Sequence, residues 1–216
     1  MKSKPFIIIP AFNEERSIKD VVSSINKSFN NIVVVDDASE DNTYKLALES
    51  GAKVIKSEVN LGYDSSLQLG FEYAIGQEAT SIISMDADGQ HPVEFLTKMI
   101  NLVENNKYEI VIATRKFLPR KSEKIFAQIT NFKYSIKDIT CGMKCYRASL
   151  FKKYGFKDNY NSIGTFLSLN ALKNKHKFLT IEIPLKRRKG SSTFGNSLSA
   201  ELKILWAIIK SIPLLL

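Results

Sequence analysis

The pattern that most constrains the fold is a set of short β-branched runs that alternate with segments of helical periodicity. The runs FIII at residues 6–9 and IVVVD at residues 32–36 are typical of strands buried on both faces of a parallel sheet. Between them, apolar side chains recur at helical spacing at Ile18, Val21, Val22 and Ile25. The alternation predicts an α/β fold with a mostly parallel, open sheet flanked by helices.

The same alternation continues along most of the chain. Further strands are predicted at residues 53–56, 81–85, 109–113 and 178–183, and helices at residues 15–29, 66–75, 92–104 and 164–173. The chain has 216 residues, of which 44% are hydrophobic and 25% charged, so it can form one folded domain and global disorder is excluded. The apolar run after the polar start is short, and we therefore expect no secretory signal.

Charge is distributed unevenly between the two halves. The formal net charge is +9, but residues 1–108 carry 10 basic and 16 acidic residues, whereas residues 109–216 carry 21 basic and 6 acidic residues. The halves therefore have net charges of −6 and +15. The basic half is expected to contact a phosphate group, a membrane surface or nucleic acid, and charge alone does not choose among these partners.

Polar segments follow three of the predicted strands, and they read PAFNEE, DDASEDNT and DADGQHP. Because ligands of open parallel sheets bind at the carboxyl ends of the strands, we expect these segments to share one rim. In the third segment, Asp86 and Asp88 offer the hard oxygen ligands that Mg²⁺ or Mn²⁺ prefers, and Gln90 can supply a further oxygen. The alternative is a polar turn that caps the next helix.

The first two polar segments also have both a structural and a functional interpretation. A carboxylate at Asp36 can cap the turn at residues 39–43, whereas Asp37 can accept hydrogen bonds from a nucleotide base or ribose. Pro10 can simply shape its loop, and Glu14 can place a favourable charge at a helix N-terminus. Each of these residues alone is a weak signal.

Taken in order, the segments resemble family-2 glycosyltransferases of the GT-A fold. The strings that carry this resemblance are FIIIPAFNEE, VVVDDASEDNT, NLGYDSSLQLGFEYA, SMDADGQHP and IVIATR. In the second half, KDITCGMKCYR and the segment from NSIGTFLSLN to IEIPLKRRKGSS are similar to dolichol-phosphate mannosyltransferases and related polyprenyl-phosphate glycosyltransferases. The resemblance implies an inverting, metal-dependent transfer of a hexose from a nucleotide sugar such as GDP-mannose or UDP-glucose.

The resemblance also implies roles for individual residues. The implied donor-binding residues are Pro10, Phe12, Glu14, Asp37, Ala87 and Arg187. The implied ligands of Mg²⁺ or Mn²⁺ are the DxD residues Asp86 and Asp88, together with Gln90. Arg115 would contact phosphate near the reacting centre, and Arg187 would neutralise the departing nucleoside diphosphate.

The acceptor distinguishes two enzymatic interpretations. A hydroxyl acceptor, as in the synthesis of a surface polysaccharide, needs a general base, and Asp138 is the candidate. A polyprenyl phosphate already presents an anionic oxygen near pH 7, because the second pKa of a phosphomonoester is about 6, and it needs positioning cations more than a base. The basic half favours the lipid phosphate.

Two further alternatives do not involve transfer. A basic protein that binds nucleic acid would explain the charge, but no nucleic-acid recognition motif is evident, and we expect no nucleic-acid partner. An inactive, transferase-like binder is the second, because Asn170 and Thr193 depart from the family pattern, as Cys141 and Met143 also do. Cys141 stands where Ser is common, Met143 stands where Phe is common, and Asn170 and Thr193 replace a usual Glu and Lys.

The predicted organisation is a single GT-A domain over residues 1–196 and an amphipathic C-terminal helix over residues 197–216. Within the domain, residues 1–114 would bind the nucleotide sugar and residues 115–196 the acceptor. One apolar face of the helix would contain Leu202, Leu205, Ile208, Ile209 and Ile212. The apolar stretch from Ile204 to Leu216 has only 13 residues including Lys210, too few to span a bilayer, so the helix is expected to contact a membrane or a partner, or to pack on the core.

The two cysteines, Cys141 and Cys145, do not make a disulfide framework, which indicates a reducing compartment. We therefore expect a cytoplasmic protein that is peripheral at the inner face of the membrane, where a lipid phosphate would be presented.

Overall fold

The computed structural model describes residues 2–155, 162–186 and 197–215, and strands and helices alternate along this part of the chain. The strands are β1 Pro5–Ala11, β2 Ile32–Asp36, β3 Lys53–Lys56, β4 Ser81–Ser84, β5 Ile110–Arg115, β6 Lys144–Arg147 and β7 Phe178–Ile183. The helices are α1 Ile18–Asn26, α2 Thr43–Glu49, α3 Tyr63–Gly76, α4 Phe95–Glu104, α5 Lys121–Tyr134, α6 Ala148–Tyr154, α7 Phe166–Lys173 and α8 Ser197–Leu215.

The described strands form one sheet in the order β3-β2-β1-β4-β6-β5-β7. Neighbouring strands are parallel except for β6, which runs antiparallel to both β4 and β5. The pairing of β1 with β4 ends at Ile8↔Ser84, whereas its pairing with β2 continues to Ala11↔Asp36. Pro10, which has no N–H group, lies in this extension of β1 beyond β4. The predicted α/β fold with an open, mostly parallel sheet is confirmed.

Apolar side chains pack on both faces of the sheet, because successive residues of a strand point to opposite sides. On one face, Ile8 and Val33 pack in the same cluster as Phe71 of α3, and α5, α7 and α8 also contribute to this layer. On the other face, Ile7 and Val34 pack with residues of α1 and α4. The sheet is thus covered on both sides, and the carboxyl ends of its parallel strands remain available for a site.

Several predicted elements have the bounds that the sequence indicated, and others differ. The bounds of β2, β3 and β7 are those predicted, whereas α1 is shorter and α4 begins at Phe95 rather than at residue 92. Neither β6 nor α6 was predicted. β6 begins with Lys144, whose charged side chain is fully buried. A hydrophobicity pattern treats such a residue as exposed and therefore does not indicate a strand there.

The sheet is continuous across residue 114, because β6 lies between β4 and β5, and β7 pairs with β5. Both predicted halves therefore contribute strands to one sheet, and the boundary between them stays a prediction.

The C-terminal helix is present as α8 and lies alongside α5. At one end, the Glu201 carboxylate accepts the N–H groups of Lys121 and Ser122 at 2.9 and 2.8 Å. At the other end, the Tyr134 hydroxyl donates to the carbonyl oxygen of Leu214 at 2.9 Å. Of the predicted apolar face, Ile208 is buried against the core, whereas Leu202, Leu205, Ile209 and Ile212 are exposed. In the described ranges, no helix combines the length and the apolar character needed to cross a membrane.

Candidate active site

The loops that follow β1 and β2 are hydrogen-bonded to each other at the carboxyl edge of the sheet. The N–H of Asn13 donates to Ser39 Oγ, and the N–H of Glu40 donates to Asn13 Oδ1, both at 2.9 Å. Asn13 has a φ of 55°, in the left-handed region that asparagine adopts more readily than most residues. The N–H of Glu14 donates to Thr43 Oγ1 at 2.8 Å. The first two polar segments therefore form one continuous wall.

Asp36 and Asp37, at the end of β2, hold two different turns. Asp36 Oδ1 accepts the N–H of Ser39 at 3.3 Å, which agrees with the turn-capping interpretation. Asp37 is buried, and its Oδ1 and Oδ2 accept the N–H groups of Leu61 and Gly62 at 2.7 and 2.8 Å. Asp37 thus positions the residues that lead into α3, and its contact with a base or ribose stays a prediction.

Asp86, which follows β4, is the partly exposed carboxylate of the rim. The Tyr63 hydroxyl donates to Asp86 Oδ1 at 3.1 Å, and Tyr63 is the first residue of the helix whose start Asp37 positions. On its other side, Asp86 lies against Gly142, where an added Cβ would come within 2.2 Å of Oδ1. A side chain at position 142 would therefore force the Asp86 carboxylate to move.

His91 is buried beside Asp86. Its Nδ1 lies 3.3 Å from the backbone nitrogen of Asp86, and its Nε2 lies 3.7 Å from Asp86 Oδ2 and 3.6 Å from Cys141 Sγ. Burial by itself lowers the pKa of the imidazole, but the negative charge of Asp86, with Cys141 and Asp88, outweighs it and raises the pKa of His91 to about 9. His91 and Tyr63 therefore hold Asp86 from two directions.

Asp88 and Gln90 connect the DxD loop to the end of β7. Asp88 is buried, and its Oδ1 accepts the N–H of Gln90 at 2.9 Å. The carbonyl oxygen of Gln90 accepts the N–H of Lys186 at 2.8 Å, and its side-chain Nε2 donates to Lys186 O at 3.4 Å. The chain after β7 is thereby attached to the DxD loop as far as Lys186. Arg187, a predicted donor-binding residue, lies outside the described residues.

The carboxylates of Asp86 and Asp88 suit Mg²⁺ or Mn²⁺ but do not make a complete ligand set. Within the part of the chain that the structure describes, no three His, Cys, Asp or Glu side chains are grouped closely enough to hold a metal ion. Mg²⁺ commonly takes one or two protein carboxylates and fills its other positions with water and substrate phosphate. The Asp86 side chain is 35% exposed, so its oxygen atoms can bind a metal ion that a substrate phosphate also binds.

Arg115, at the end of β5, forms a buried ion pair with Asp138. Arg115 Nε and Nη2 donate to Asp138 Oδ2 and Oδ1 at 2.7 and 3.1 Å, and Nη2 also lies 3.3 Å from Glu123 Oε1. The backbone N–H of Arg115 donates to Oδ2 at 3.0 Å, and the N–H and hydroxyl of Thr140 donate to Oδ1 at 3.1 and 2.9 Å. Both oxygens of Asp138 are therefore engaged by several donors.

These contacts determine the protonation of the pair. Burial by itself raises the pKa of Asp138, but the hydrogen bonds and the charge of Arg115 outweigh it, so the pKa lies below its ordinary value of 3.8. The pKa of Arg115 is raised, because the same carboxylate and Glu123 outweigh the effect of burial. Asp138 is thus held as an anion by a cation that is itself neutralised inside the protein.

Two other buried charges hold the segment that precedes α7. The Asp64 carboxylate accepts the Ser162 hydroxyl at 2.8 Å and the N–H groups of the next two residues at 2.9 and 2.7 Å. Lys144 Nζ donates to the carbonyl oxygen of Gly164 at 2.7 Å, and burial lowers the pKa of Lys144 to about 8. An added Cβ at Gly164 would lie 2.9 Å from the Tyr63 ring, so this segment adjoins the residue that holds Asp86.

Most of the predicted site residues lie at or just after the carboxyl ends of β1, β2, β4 and β5. They are Pro10, Phe12, Glu14, Asp37, Asp86, Ala87, Asp88, Gln90 and Arg115, and Asp138 joins them through Arg115. Phe12 is half-buried, and Glu14 and Ala87 are buried.

Tyr63, His91, Gly142 and Lys144 have places in the candidate site that no sequence pattern indicates. All four stand inside strings that carried the family resemblance, but their partners lie far along the chain or across the sheet. At one position that departs from the family pattern, the Asn170 side chain donates to Phe166 O of its own helix at 3.0 Å.

Comparison with known proteins agrees with this geometry. A profile of glycosyl transferase family 2 matches residues 6–158. The UDP-N-acetylglucosamine–dolichyl-phosphate N-acetylglucosaminyltransferase of Methanococcus voltae is 28% identical over 84% of this chain and 84% of its own length. The dolichyl-phosphate hexose transferase of Haloferax volcanii is 25% identical over 86% of this chain and 84% of its own length.

A solved structure shares the fold. Glucosyl-3-phosphoglycerate synthase of Mycobacterium tuberculosis, in complex with Mn²⁺, UDP-glucose and phosphoglyceric acid, aligns with a TM-score of 0.77 over 97% of this chain and 79% of that chain, at 14% identity. Its likeness shows a GT-A fold, and the profile match covers well over half of the sequence. The chain is therefore a glycosyltransferase and belongs to glycosyl transferase family 2.

Proposed function

We propose that this glycosyltransferase moves a hexose from a nucleotide sugar of the GDP-mannose or UDP-glucose type to a polyprenyl phosphate at the inner face of the membrane. In a single displacement, an oxygen of the lipid phosphate would attack the anomeric carbon as its bond to the diphosphate breaks. The nucleoside diphosphate then leaves and the configuration inverts. The two dolichyl-phosphate transferases that resemble this chain support this acceptor class.

The observation that carries the proposal is the state of Asp138. A general base must accept a proton, but the pKa of Asp138 is lowered and its two oxygens already accept hydrogen bonds from Arg115 and Thr140. Such a carboxylate is better suited to positioning Arg115 than to deprotonating a hydroxyl group. An anionic phosphate acceptor needs no base near pH 7, which favours it over a glycan hydroxyl.

On the donor side, we assign the wall made by the first two polar segments to the nucleotide. Pro10, Phe12 and Glu14 would line its pocket, and the buried Asp37 would face the base or ribose. The partly exposed Asp86 and the buried Asp88 would hold the metal ion with Gln90. When bound, Mg²⁺ or Mn²⁺ supplies positive charge to the diphosphate.

The remaining assignments concern the leaving group and the reacting centre. Arg187 would add a second positive charge to the departing diphosphate. This assignment is supported by Lys186, the residue before it, which is hydrogen-bonded to Gln90 in the DxD loop. We assign Arg115 to the acceptor side, at the end of β5, with Asp138 as its positioning residue.

The proposal is tested by incubating the protein with labelled GDP-mannose or UDP-glucose, Mn²⁺ and a short-chain polyprenyl phosphate. We expect a labelled lipid product whose anomeric configuration is opposite to that of the donor. Matched reactions with the donor alone measure hydrolysis. Transfer to glycan hydroxyl groups without any lipid product from either donor would contradict the acceptor assignment.

A further inference from the structure

The outer face of α8 is apolar although it does not pack against the described core. Its exposed side chains are Leu198, Leu202, Leu205, Trp206, Ile209 and Ile212. At 100° per residue, these positions fall within about one third of the helix circumference. Ile209, near the middle of this surface, is 55% exposed, so no part of the chain that the structure describes covers the centre of the outer apolar face.

The opposite side of the same helix is already occupied. Ala200, Ile204, Ala207 and Ile208 are buried, and α8 packs on α5 and α7. An ordinary amphipathic helix has a polar outer face, whereas α8 is apolar on both its inner and its outer side. Packing against the core therefore does not explain why the outer face of α8 is apolar.

Charge favours a lipid surface as the occupant. Lys203 and Lys210 lie along one edge of the outer apolar face, and Lys210 Nζ lies 4.7 Å from the centre of the Trp206 ring. The only acidic residue between positions 197 and 215 is Glu201, and its carboxylate is turned toward the backbone of α5. Apolar side chains with tryptophan and flanking lysines are the composition of helices that lie in the interface of a bilayer with anionic lipids.

The outer apolar face also begins close to the candidate active site. Glu201, beside Leu202, binds the first N–H groups of α5. Within that turn, Glu123 accepts hydrogen bonds from Arg120 and lies 3.3 Å from Arg115 at the end of β5. A bilayer in contact with α8 would therefore present its phosphate groups near the acceptor side.

We propose that the outer apolar face of α8 docks this protein on a membrane surface that contains anionic lipids. The biological role of this docking rests on the proposed lipid-phosphate acceptor. The docking itself can be measured without assaying sugar transfer. The helix would lie in the plane of the interface, with Trp206 and Ile209 among the acyl chains and Lys210 at the level of the headgroups.

Trp206 is the only tryptophan in the sequence and lies on the outer apolar face, so the unmodified protein carries its own probe. We expect its emission to shift to shorter wavelengths when vesicles of phosphatidylcholine and phosphatidylglycerol are added, and brominated acyl chains to quench it. Unchanged emission, with the protein left in the supernatant after sedimentation of the vesicles, would overturn the proposal.

Three variants distinguish specific docking by this face from nonspecific adsorption to vesicles. Ile209→Glu should reduce vesicle-bound protein about tenfold or more. Leu48→Glu, which alters a residue of α2 that is 52% exposed, should bind as the wild type does. Lys210→Gln should weaken binding to anionic vesicles about fivefold and leave binding to neutral vesicles unchanged. Equal losses in Ile209→Glu and Leu48→Glu would contradict a specific docking face.

Two further measurements distinguish the outcomes. If light scattering shows a dimer that Ile209→Glu converts to a monomer, with no binding to vesicles, the face is an interface between copies and the proposal is wrong. Transfer to a water-soluble, short-chain polyprenyl phosphate separates docking from function. Wild-type transfer without vesicle binding refutes docking alone, and vesicle binding without transfer refutes the acceptor assignment alone.

Discussion

The proposed donor side, at the ends of β1, β2 and β4, and the proposed acceptor side, around Arg115, use their charged residues differently. On the donor side, Asp36, Asp37 and Asp88 accept backbone N–H groups and fix loops, while Asp86 stays partly exposed. On the acceptor side, Arg115 is neutralised inside the protein by Asp138 and Glu123. The net charge of a half therefore does not tell which of its charged groups can reach a ligand.

The net charge of +15 in residues 109–216 also includes positive groups that are buried inside the protein. Lys144 is fully buried and its ammonium group binds a carbonyl oxygen, and Arg115 is mostly buried in its ion pair. Positive charge in this half therefore contributes partly to the internal structure of the acceptor side. The following predictions test whether the donor side depends on the partly exposed Asp86 carboxylate, and whether the acceptor side depends on Arg115 being held in place by Asp138.

The largest effect is expected on the donor side. Asp86→Asn should lower kcat by roughly a thousandfold, because loss of metal-bound charge at the diphosphate is worth about 4 kcal/mol at about 1.4 kcal/mol per tenfold change. Removal of Mg²⁺ and Mn²⁺ with a chelator should have a similar effect that added Mn²⁺ reverses. Both are measured by transfer of labelled sugar.

Glu40→Gln is the matched control, since Glu40 lies on the same rim and its side chain is exposed. It should retain wild-type activity within about twofold. If the two variants lose activity equally, or if chelation has no effect, the assignment of the DxD segment is wrong.

On the acceptor side, Asp138→Asn and Arg115→Lys should each lower kcat/KM for a polyprenyl phosphate roughly 30-fold, about 2 kcal/mol, because each breaks the bidentate pair. The double variant should be little worse than either single variant, because both act through one interaction. Glu49→Gln, which removes an exposed pair with Lys45 on α2, should change nothing measurable.

Two results would oppose this interpretation of Asp138. If the losses of the two single variants add in the double variant, the residues act independently. A loss of several thousandfold in Asp138→Asn, with a pH profile that lacks the ionisation seen in the wild type, would instead identify Asp138 as a general base.

Gly142→Ala tests whether the donor side depends on the close packing of Gly142 against the Asp86 carboxylate. Its Cβ would meet Asp86 Oδ1 at 2.2 Å, so the carboxylate must move, and we expect about a tenfold loss of kcat with at most about 3 kcal/mol of lost stability. Gly76→Ala is the matched control, since nothing lies within 4 Å of a Cβ there. A Gly142→Ala variant that is as active as Gly76→Ala would show that Asp86 need not stay in place.

The last expected effect is on stability and not on catalysis, and it is a pH dependence at Lys144. Its pKa is about 8 in the folded protein and its ordinary value is 10.5, so the folded state binds this proton less tightly than the unfolded chain. The cost of the buried charge is full below pH 8 and is relieved as the pH rises toward 10.5.

Relative to Lys144→Met, the free energy of unfolding of the wild type should therefore rise by up to about 3 kcal/mol across that interval, at about 1.36 kcal/mol per pH unit. Denaturant unfolding at several pH values measures it. A constant difference between wild type and Lys144→Met from pH 7 to pH 10 would contradict the lowered pKa.

The parts of the fold that could be predicted are those that local pattern determines. β2 is a run of β-branched residues that ends at Asp36, and β3 places Val54 and Ile55 between two lysines, so both strands stand out locally. β6 could not be predicted, because Lys144 makes its first position look exposed, and its place between β4 and β5 depends on pairing over long separations.

In the candidate site, the positions of Asp86 and Asp88 followed from the strand before them and from the motif. The partners of the site residues did not follow, because Asp37 binds residues 24 and 25 positions away and Arg115 binds a residue 23 positions away. Sequence patterns place such groups on a rim, and only the folded chain shows which of them neutralise each other.

The central claim is that the acceptor side receives a phosphate and needs no general base. Its most direct test is the rate of sugar transfer to a short-chain polyprenyl phosphate compared with the alcohol of the same chain, at equal concentrations near pH 7. We predict transfer to the phosphate that exceeds transfer to the alcohol by at least about a hundredfold, as expected when a base worth that factor is absent. Equal rates, or a preference for the alcohol, would contradict the claim.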